Sequence, residues 1–150
     1  MNNLVILYAS IHHKNTEKLL KEIVKNKPVD LIDLLHEKNI ELSKYQVVGF
    51  ASGIYYSKLH KSIYKYIEEN KNIPKKSFVI YTAGMASKKT VENFINYLEE
   101  RGFEILGAYN CKGYDTYGPF KIIGGVAKGH PNEKDVEKGK EFLDEIVNMI

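Results

Sequence analysis

Alternation of strand-like and helix-like segments along 150 residues predicts an α/β fold, a three-layer α/β/α sandwich around a five-stranded parallel sheet of order 2-1-3-4-5. Two further observations support it. The strand-like runs are largely apolar, as strands covered on both faces must be, and Pro28, Pro74 and Gly102 mark boundaries between segments.

Leu4 to Ala9 is the first such run. From Asn15 the spacing changes, with Leu19, Leu20, Ile23 and Val24 on one helical face until Asn26 and Pro28 stop it. Val29 to Leu34 and Tyr45 to Ala51 read as the second and third strands, separated by the polar stretch Glu37 to Ser43. Ser57 to Glu69 has the pattern of an amphipathic helix carrying Leu59, Ile63, Tyr66 and Ile67. After Pro74, Ser77 to Thr82 is the strongest strand signal, and Ser87 to Glu100 is a helix closing at Gly102. Phe103 to Tyr109 is the fifth strand, Gly113 to Gly129 a glycine-bearing loop, and Asn132 to Met149 a last helix with Val136, Phe142, Leu143, Ile146 and Val147 inward. No linker, repeat or low-complexity segment interrupts the series, so a single domain over 1–150 is expected.

Composition narrows the function classes. Hydrophobic residues at 43% and charged residues at 27% suit an ordinary globular core. The net charge of +3 comes from lysines interleaved with glutamates, not from a basic stripe, so no nucleic-acid partner is expected. Cys111 is the one cysteine, which excludes an intramolecular disulfide and points to a reducing compartment. It reads as an inert strand residue. No apolar run approaches the roughly 20 residues of a membrane span, so a cytoplasmic location without membrane partners is expected.

In a sheet of this order, ligands bind outside the carboxyl ends of the strands, between the first and third. Three segments fall there. In Ser10-Ile11-His12-His13-Lys14-Asn15-Thr16, hydroxyls and cationic groups precede a helix amino terminus, whose unpaired N–H groups and dipole favour an anion such as a phosphate. The alternative reading is that Asn15 or Thr16 only caps the helix. The loop lacks the glycines of dinucleotide and Walker-type fingerprints, and His36, His60 and His130 stand at no ligand spacing from His12 and His13, so no metal is expected. Ser52-Gly53-Ile54-Tyr55-Tyr56-Ser57 offers two aromatics for stacking on a planar ligand, or simply surface packing. Thr82-Ala83-Gly84-Met85 ends the fourth strand in small residues that let backbone approach a ligand, or form an ordinary tight turn.

The chain as a whole resembles the flavodoxin family. Ser10 to Thr16 is similar to that family's phosphate loop, commonly Ser/Thr-x-Thr-Gly-Asn-Thr; Asn15 and Thr16 match, while the loop is one residue longer and Lys14 stands where glycine is frequent. The resemblance implies a flavodoxin-like fold that binds FMN and transfers electrons with redox partner proteins. It implies that Ser52, Gly53, Ile54, Tyr55 and Tyr56 cover one face of the flavin ring, with Tyr55 the preferred stacking residue, and that Thr82, Ala83, Gly84 and Met85 run along its other edge. Backbone groups of Gly53 and Gly84 would bond the ring, and a peptide flip at Gly53 would be cheap. No side-chain acid or base is then required. The segment Ala51 to His60 is also similar to flavodoxin-like protoporphyrinogen oxidases, which makes a flavin-dependent oxidoreductase the second reading. A doubly wound module without flavin is the third; a receiver domain would need acidic residues where Ser10 and Ser52 stand. Gly113 to Asn132 resembles small flavodoxin-like proteins of bacteria and archaea, with Tyr117 and Phe120 as a lid, a docking surface or a packed structural loop.

Overall fold

A computed structural model describes residues 2–11, 15–37, 39–83, 88–112 and 132–150. Its elements, in chain order, are β1 (Leu4–Ala9), α1 (Asn15–Ile23), β2 (Val29–Asp33), β3 (Val47–Tyr55), β4 (Lys58–Leu59), α2 (Lys61–Glu69), β5 (Lys76–Ala83), α3 (Lys88–Glu99), β6 (Glu104–Lys112) and α4 (Glu133–Val147). The main sheet runs β2-β1-β3-β5-β6 with every neighbouring pair parallel. With the two-residue β4 set aside, this is the expected order 2-1-3-4-5.

The layers follow from the alternation of side chains along each strand. Val5, Leu7 and Ala9 of β1, Val48 and Phe50 of β3, and Val79 and Tyr81 of β5 face one way, against Ile63 and Ile67 of α2 and Phe94 and Leu98 of α3. Leu4, Ile6 and Tyr8, with Val47, Ala51, Phe78 and Ile80, face the other way, against Leu19, Leu20 and Ile23 of α1 and Leu143 and Ile146 of α4. Both faces of the central strands are therefore dry, which is why their sequences are apolar throughout. In the first layer Phe50 meets Phe94 and Phe103 edge to face at 6.1 and 5.8 Å. In the second, Lys27 pairs with Asp144 and ties the connection after α1 to α4.

The structure corrects the sequence reading at the end of β3. The strand runs on through Tyr55, so Ser52 to Tyr55 are strand residues and not loop. Tyr56 and Ser57 then turn the chain at φ 52° and 63°, and β4 folds back antiparallel with Tyr55 opposite Lys58 and Ile54 opposite Leu59. Two positive φ values in a two-residue connection are the backbone of a tight hairpin, a position that usually selects Asn-Gly. The helix expected from Ser57 consequently begins at Lys61, and Leu59 is buried as a strand residue. The fifth parallel strand also extends past Tyr109 to Lys112. Gly102, at φ +87°, closes α3 as expected.

Packing across the second layer leaves no room at Gly49. A Cβ built there would lie 2.4 Å from Phe78 Cζ. Gly49→Ala is expected to destabilise the fold by about 1–3 kcal/mol, read as a lower urea midpoint. Adding Phe78→Leu should recover part of that loss, because the two changes act on one contact.

Candidate functional site

The sheet order reverses at β1, whose following helix leads to β2 on one side while β3 lies on the other. Such a reversal leaves a crevice at the carboxyl edge, since successive connections leave in opposite directions. Register shows what reaches it. Ala9 is paired with Ser52, Ser52 with Tyr81, and Tyr81 with Asn110. One step further along, Gly53 is beside Thr82 and Thr82 beside Cys111.

Three connections knit this edge together. Thr16, in the first turn of α1, and Thr82, at the end of β5, share a hydrogen bond of 2.8 Å between buried hydroxyls. Because a hydroxyl has one hydrogen and two lone pairs, the pair uses one O–H hydrogen and keeps the other for a further acceptor. The Ile11 backbone N–H donates to the Tyr55 hydroxyl at 3.1 Å, joining the ends of β1 and β3. The Ser10 hydroxyl accepts from the backbone N–H of Glu17 at 3.1 Å and satisfies one donor of the first turn of α1.

The end of β3 is held from below. Ser52, wholly buried, donates to the Gly53 carbonyl at 2.6 Å and accepts from the backbone N–H of His60 at 2.8 Å. His60 caps α2, its Nδ1 accepting from the Ser62 N–H at 3.1 Å and lying 2.8 Å from the Ser62 hydroxyl. The acceptor role at Nδ1 puts the ring hydrogen on Nε2. Burial, reinforced by the charge of Lys61, holds the imidazole pKa below its usual value. The Tyr55 ring stands edge to face on His60 at 5.6 Å and crosses Gly53, where a Cβ would come within 2.7 Å of the phenolic oxygen. A side chain at position 53 would displace that ring. Burial raises the Tyr55 pKa, so the phenol stays protonated.

Ser10, Asn15, Thr16, Ser52, Gly53, Tyr55, Thr82 and Ala83 thus gather at one edge, from three elements far apart in sequence. Ile54 is half buried in β3, and Tyr56 is 82% exposed at the hairpin tip. The Ser52 hydroxyl both donates to and accepts from the chain's own backbone and serves as a positioning group, whereas Ser10 accepts from Glu17 and keeps its hydroxyl hydrogen. His12, His13, Lys14, Gly84 and Met85 lie outside the described residues, as do Tyr117, Phe120 and the 113–131 stretch. Sequence reasoning missed His60. The signal is its place just before the true helix start, hidden because the amphipathic pattern already begins at Ser57.

Cys111 is buried at the end of β6, and burial together with the charge of Asp135 pushes its thiol up to about 12, which fits an inert strand residue. Among the described residues no cluster of three or more His, Cys, Asp or Glu side chains is positioned to hold a metal ion. No helix among them is long and apolar enough to cross a membrane.

A parallel doubly wound sheet with a helix amino terminus and an aromatic strand end at its reversal point defines the class of flavodoxin-like α/β/α proteins. The flavodoxin domain model matches residues 5–109, and the chain belongs to that family. It is 44% identical over 145 residues to the uncharacterized protein MJ0298 of Methanocaldococcus jannaschii, covering 95% of this chain and 97% of that one. Among solved structures, a short-chain flavodoxin associated with a PDU bacterial microcompartment superposes with a TM-score of 0.69 at 13% identity, covering 99% of both chains. A flavoprotein of Lactobacillus acidophilus in complex with FMN gives 0.60 at 16% identity, covering 73% of this chain and 93% of that one. At these identities the superpositions speak to fold alone.

The His60 cap makes stability pH-dependent. Its folded pKa lies below the unfolded one, so on acidification the unfolded state takes up the proton first. Stability from this group is complete above the ordinary histidine value of about 6.5 and declines as pH falls below it, until the folded pKa is passed. Asparagine is a good helix cap with no proton to gain. Urea unfolding of the natural chain and of His60→Asn, each at about pH 7.5 and about pH 5.5, should show the larger acid loss in the natural chain.

Proposed function

We propose that this protein binds FMN non-covalently at the carboxyl edge between β1 and β3 and carries electrons through it. The observation that supports this most directly is the pairing of Thr16 with Thr82. It brings a helix amino terminus and the end of a neighbouring strand to one point, with a hydroxyl hydrogen to spare. The donor set there fits a phosphate monoester: the positive end of α1, the side chains of Asn15 and Thr16, and the Thr82 hydroxyl. Fixed N–H and O–H donors cost little reorganisation when an anion arrives.

The other end of the crevice fits a flat aromatic ring. Tyr55 is held by the Ile11 N–H at its hydroxyl and by a T-shaped contact with His60, so the ring's orientation is preorganised. Beneath it, Gly53 lets the Tyr55 ring lie close against the strand, with Thr82 alongside in the sheet. We assign His12, His13 and Lys14 to the phosphate end and Tyr56, Gly84 and Met85 to the rim, on the family resemblance of their segments. The flavin, when bound, supplies one- and two-electron chemistry that no side chain offers. The chain's own part is to bind it, orient it and set the charge around it.

Titration of flavin-free protein with FMN and with riboflavin, followed by flavin fluorescence, tests the reading. FMN should bind one to one, with riboflavin weaker by on the order of tenfold or more, because the phosphate supplies charge-assisted hydrogen bonds. Thr16→Val should erase much of that preference and leave riboflavin affinity nearly unchanged. Failure to take up FMN would reject the reading and favour a doubly wound binding module without redox chemistry.

Charge near the site carries a second expectation. Lys58 and Lys61 are exposed beside the Tyr55 strand end, on a chain of net charge +3. Cations favour the flavin state with more negative charge, so the couple to the fully reduced form is expected to be less negative than in acidic electron carriers. In a potentiometric titration, Lys58→Glu with Lys61→Glu should move that couple to a more negative value, and less so at high salt.

A further inference from the structure

In a parallel sheet with helical crossovers, every helix begins at the carboxyl edge, so the four helix amino termini frame the same surface. Their acidic residues divide by layer. On one side α1 carries Glu17 in its first turn and α4 carries Glu133 and Asp135, as the positive end of a helix dipole favours. On the other side α2 opens with Lys61 and α3 with Lys88 and Lys89, and neither has an acidic residue in its first turn. Lysine at that end opposes the dipole by about 0.3–1 kcal/mol at low salt, and the arrangement occurs in both helices of one layer.

Lys58 joins them. It sits in β4, which packs against α3, so the three basic positions follow one another along the rim from α2 to α3. Lys58, Lys61, Lys88 and Lys89 are all exposed, and none forms an ion pair with a described residue. Lys21, Lys25, Lys27 and Arg101 pair with Glu17, Glu22, Asp144 and Glu68, whereas Lys71 and Lys76 at the opposite end of the sheet form no ion pair with a described residue either, so it is position and not lack of a partner that sets the four rim lysines apart.

The same rim carries exposed apolar surface. Tyr56 is 82% and Ile11 37% exposed, and the other exposed large hydrophobics among the described residues, Met149 and Ile150, follow α4. Tyr56 is held out by a left-handed backbone, at φ 52°, that a bulky side chain seldom adopts. An exposed aromatic next to Lys58, on a rim that also carries Lys61, Lys88 and Lys89, has the composition of a protein docking site, where tyrosine anchors and the charges steer.

We propose that an acidic electron-carrier protein docks on this half of the carboxyl edge, with Tyr56 at the centre of contact and Lys58, Lys61, Lys88 and Lys89 around it. The inference rests on the flavin reading for the purpose of docking, since the patch borders the Tyr55 strand end. It rests on this chain's own charges for the sign of the partner. A nucleic acid would be served by a longer basic track, and a membrane by a broader apolar wedge than two side chains.

The test measures binding of a small acidic [4Fe–4S] ferredoxin, in its oxidised form, to the full chain with and without added FMN. Binding should weaken on the order of tenfold as NaCl rises from about 20 to about 200 mM. Lys58→Glu with Lys61→Glu, and Lys88→Glu with Lys89→Glu, should each weaken it on the order of tenfold. Lys71→Glu with Lys76→Glu, the same charge change at the opposite end of the sheet, should leave it unchanged. Tyr56→Ala should speed dissociation with its salt dependence retained. No ferredoxin binding, equal losses in the Lys71/Lys76 control, or tighter binding to phosphatidylglycerol vesicles, to a DNA oligonucleotide or to the basic protein cytochrome c would overturn the proposal. FMN uptake measured on the same samples separates the two readings. Uptake without ferredoxin binding defeats the docking surface alone, whereas salt-dependent ferredoxin binding without uptake supports the surface and defeats the flavin.

Discussion

Parallel pairing of β1 with β2 on one side and β3 on the other is the constraint from which the rest of this structure follows. A strand with a parallel neighbour on each edge and a helix layer on each face has no solvent-exposed side, so Leu4 to Ala9 are all buried. The right-handed crossovers from β1 and from β3 then leave in opposite directions. At the point of divergence the sheet cannot be covered by its own helices, and polar groups that would be costly in the interior gather there.

Those groups are paired with little waste. Ser10 satisfies Glu17, Ser52 bridges Gly53 and His60, and the Ile11 N–H finds Tyr55. Each joins segments that diverge in sequence, so the edge is rigid without being apolar. Preorganisation of this kind lowers the entropy lost on binding, and it is the property a cofactor-holding surface needs. The hydroxyl pair of Thr16 and Thr82 uses one of its two hydrogens, and Ser10, an acceptor from Glu17, keeps its own, so this edge retains donors for a further acceptor.

The hairpin after Tyr55 runs against local preference. Left-handed backbone at Tyr56 and Ser57 costs about 1–3 kcal/mol each when the residue is not glycine. What offsets it is the pairing of Ile54 with Leu59 and the burial of Leu59, together with the Ser52 to His60 bond below. The return strand sets His60 as the cap of α2 and leaves Tyr56 outside. Lysines at the openings of α2 and α3 break a second local rule at the same rim. Two departures from local preference thus meet at this rim, a pattern that functional surfaces show.

By itself the sequence determined the layers, the strand order and the edge at which polar residues collect, because these depend on burial, and burial is written as apolar periodicity in runs such as Leu4 to Ala9 and Ser77 to Thr82. It also marked Ser10, Thr16, Ser52, Tyr55 and Thr82 as neighbours, since the carboxyl ends of parallel strands must share an edge. Only the tertiary structure decided which of these hydroxyls are consumed internally, where β3 stops, and that Lys58 to Leu59 is strand while Lys61 opens a helix. Hydrogen-bond partners seven, eight and sixty-six positions apart have no local signature. The Tyr56-Ser57 turn is imposed by long-range pairing against the preference of its own residues, so no reading of those residues alone reveals it.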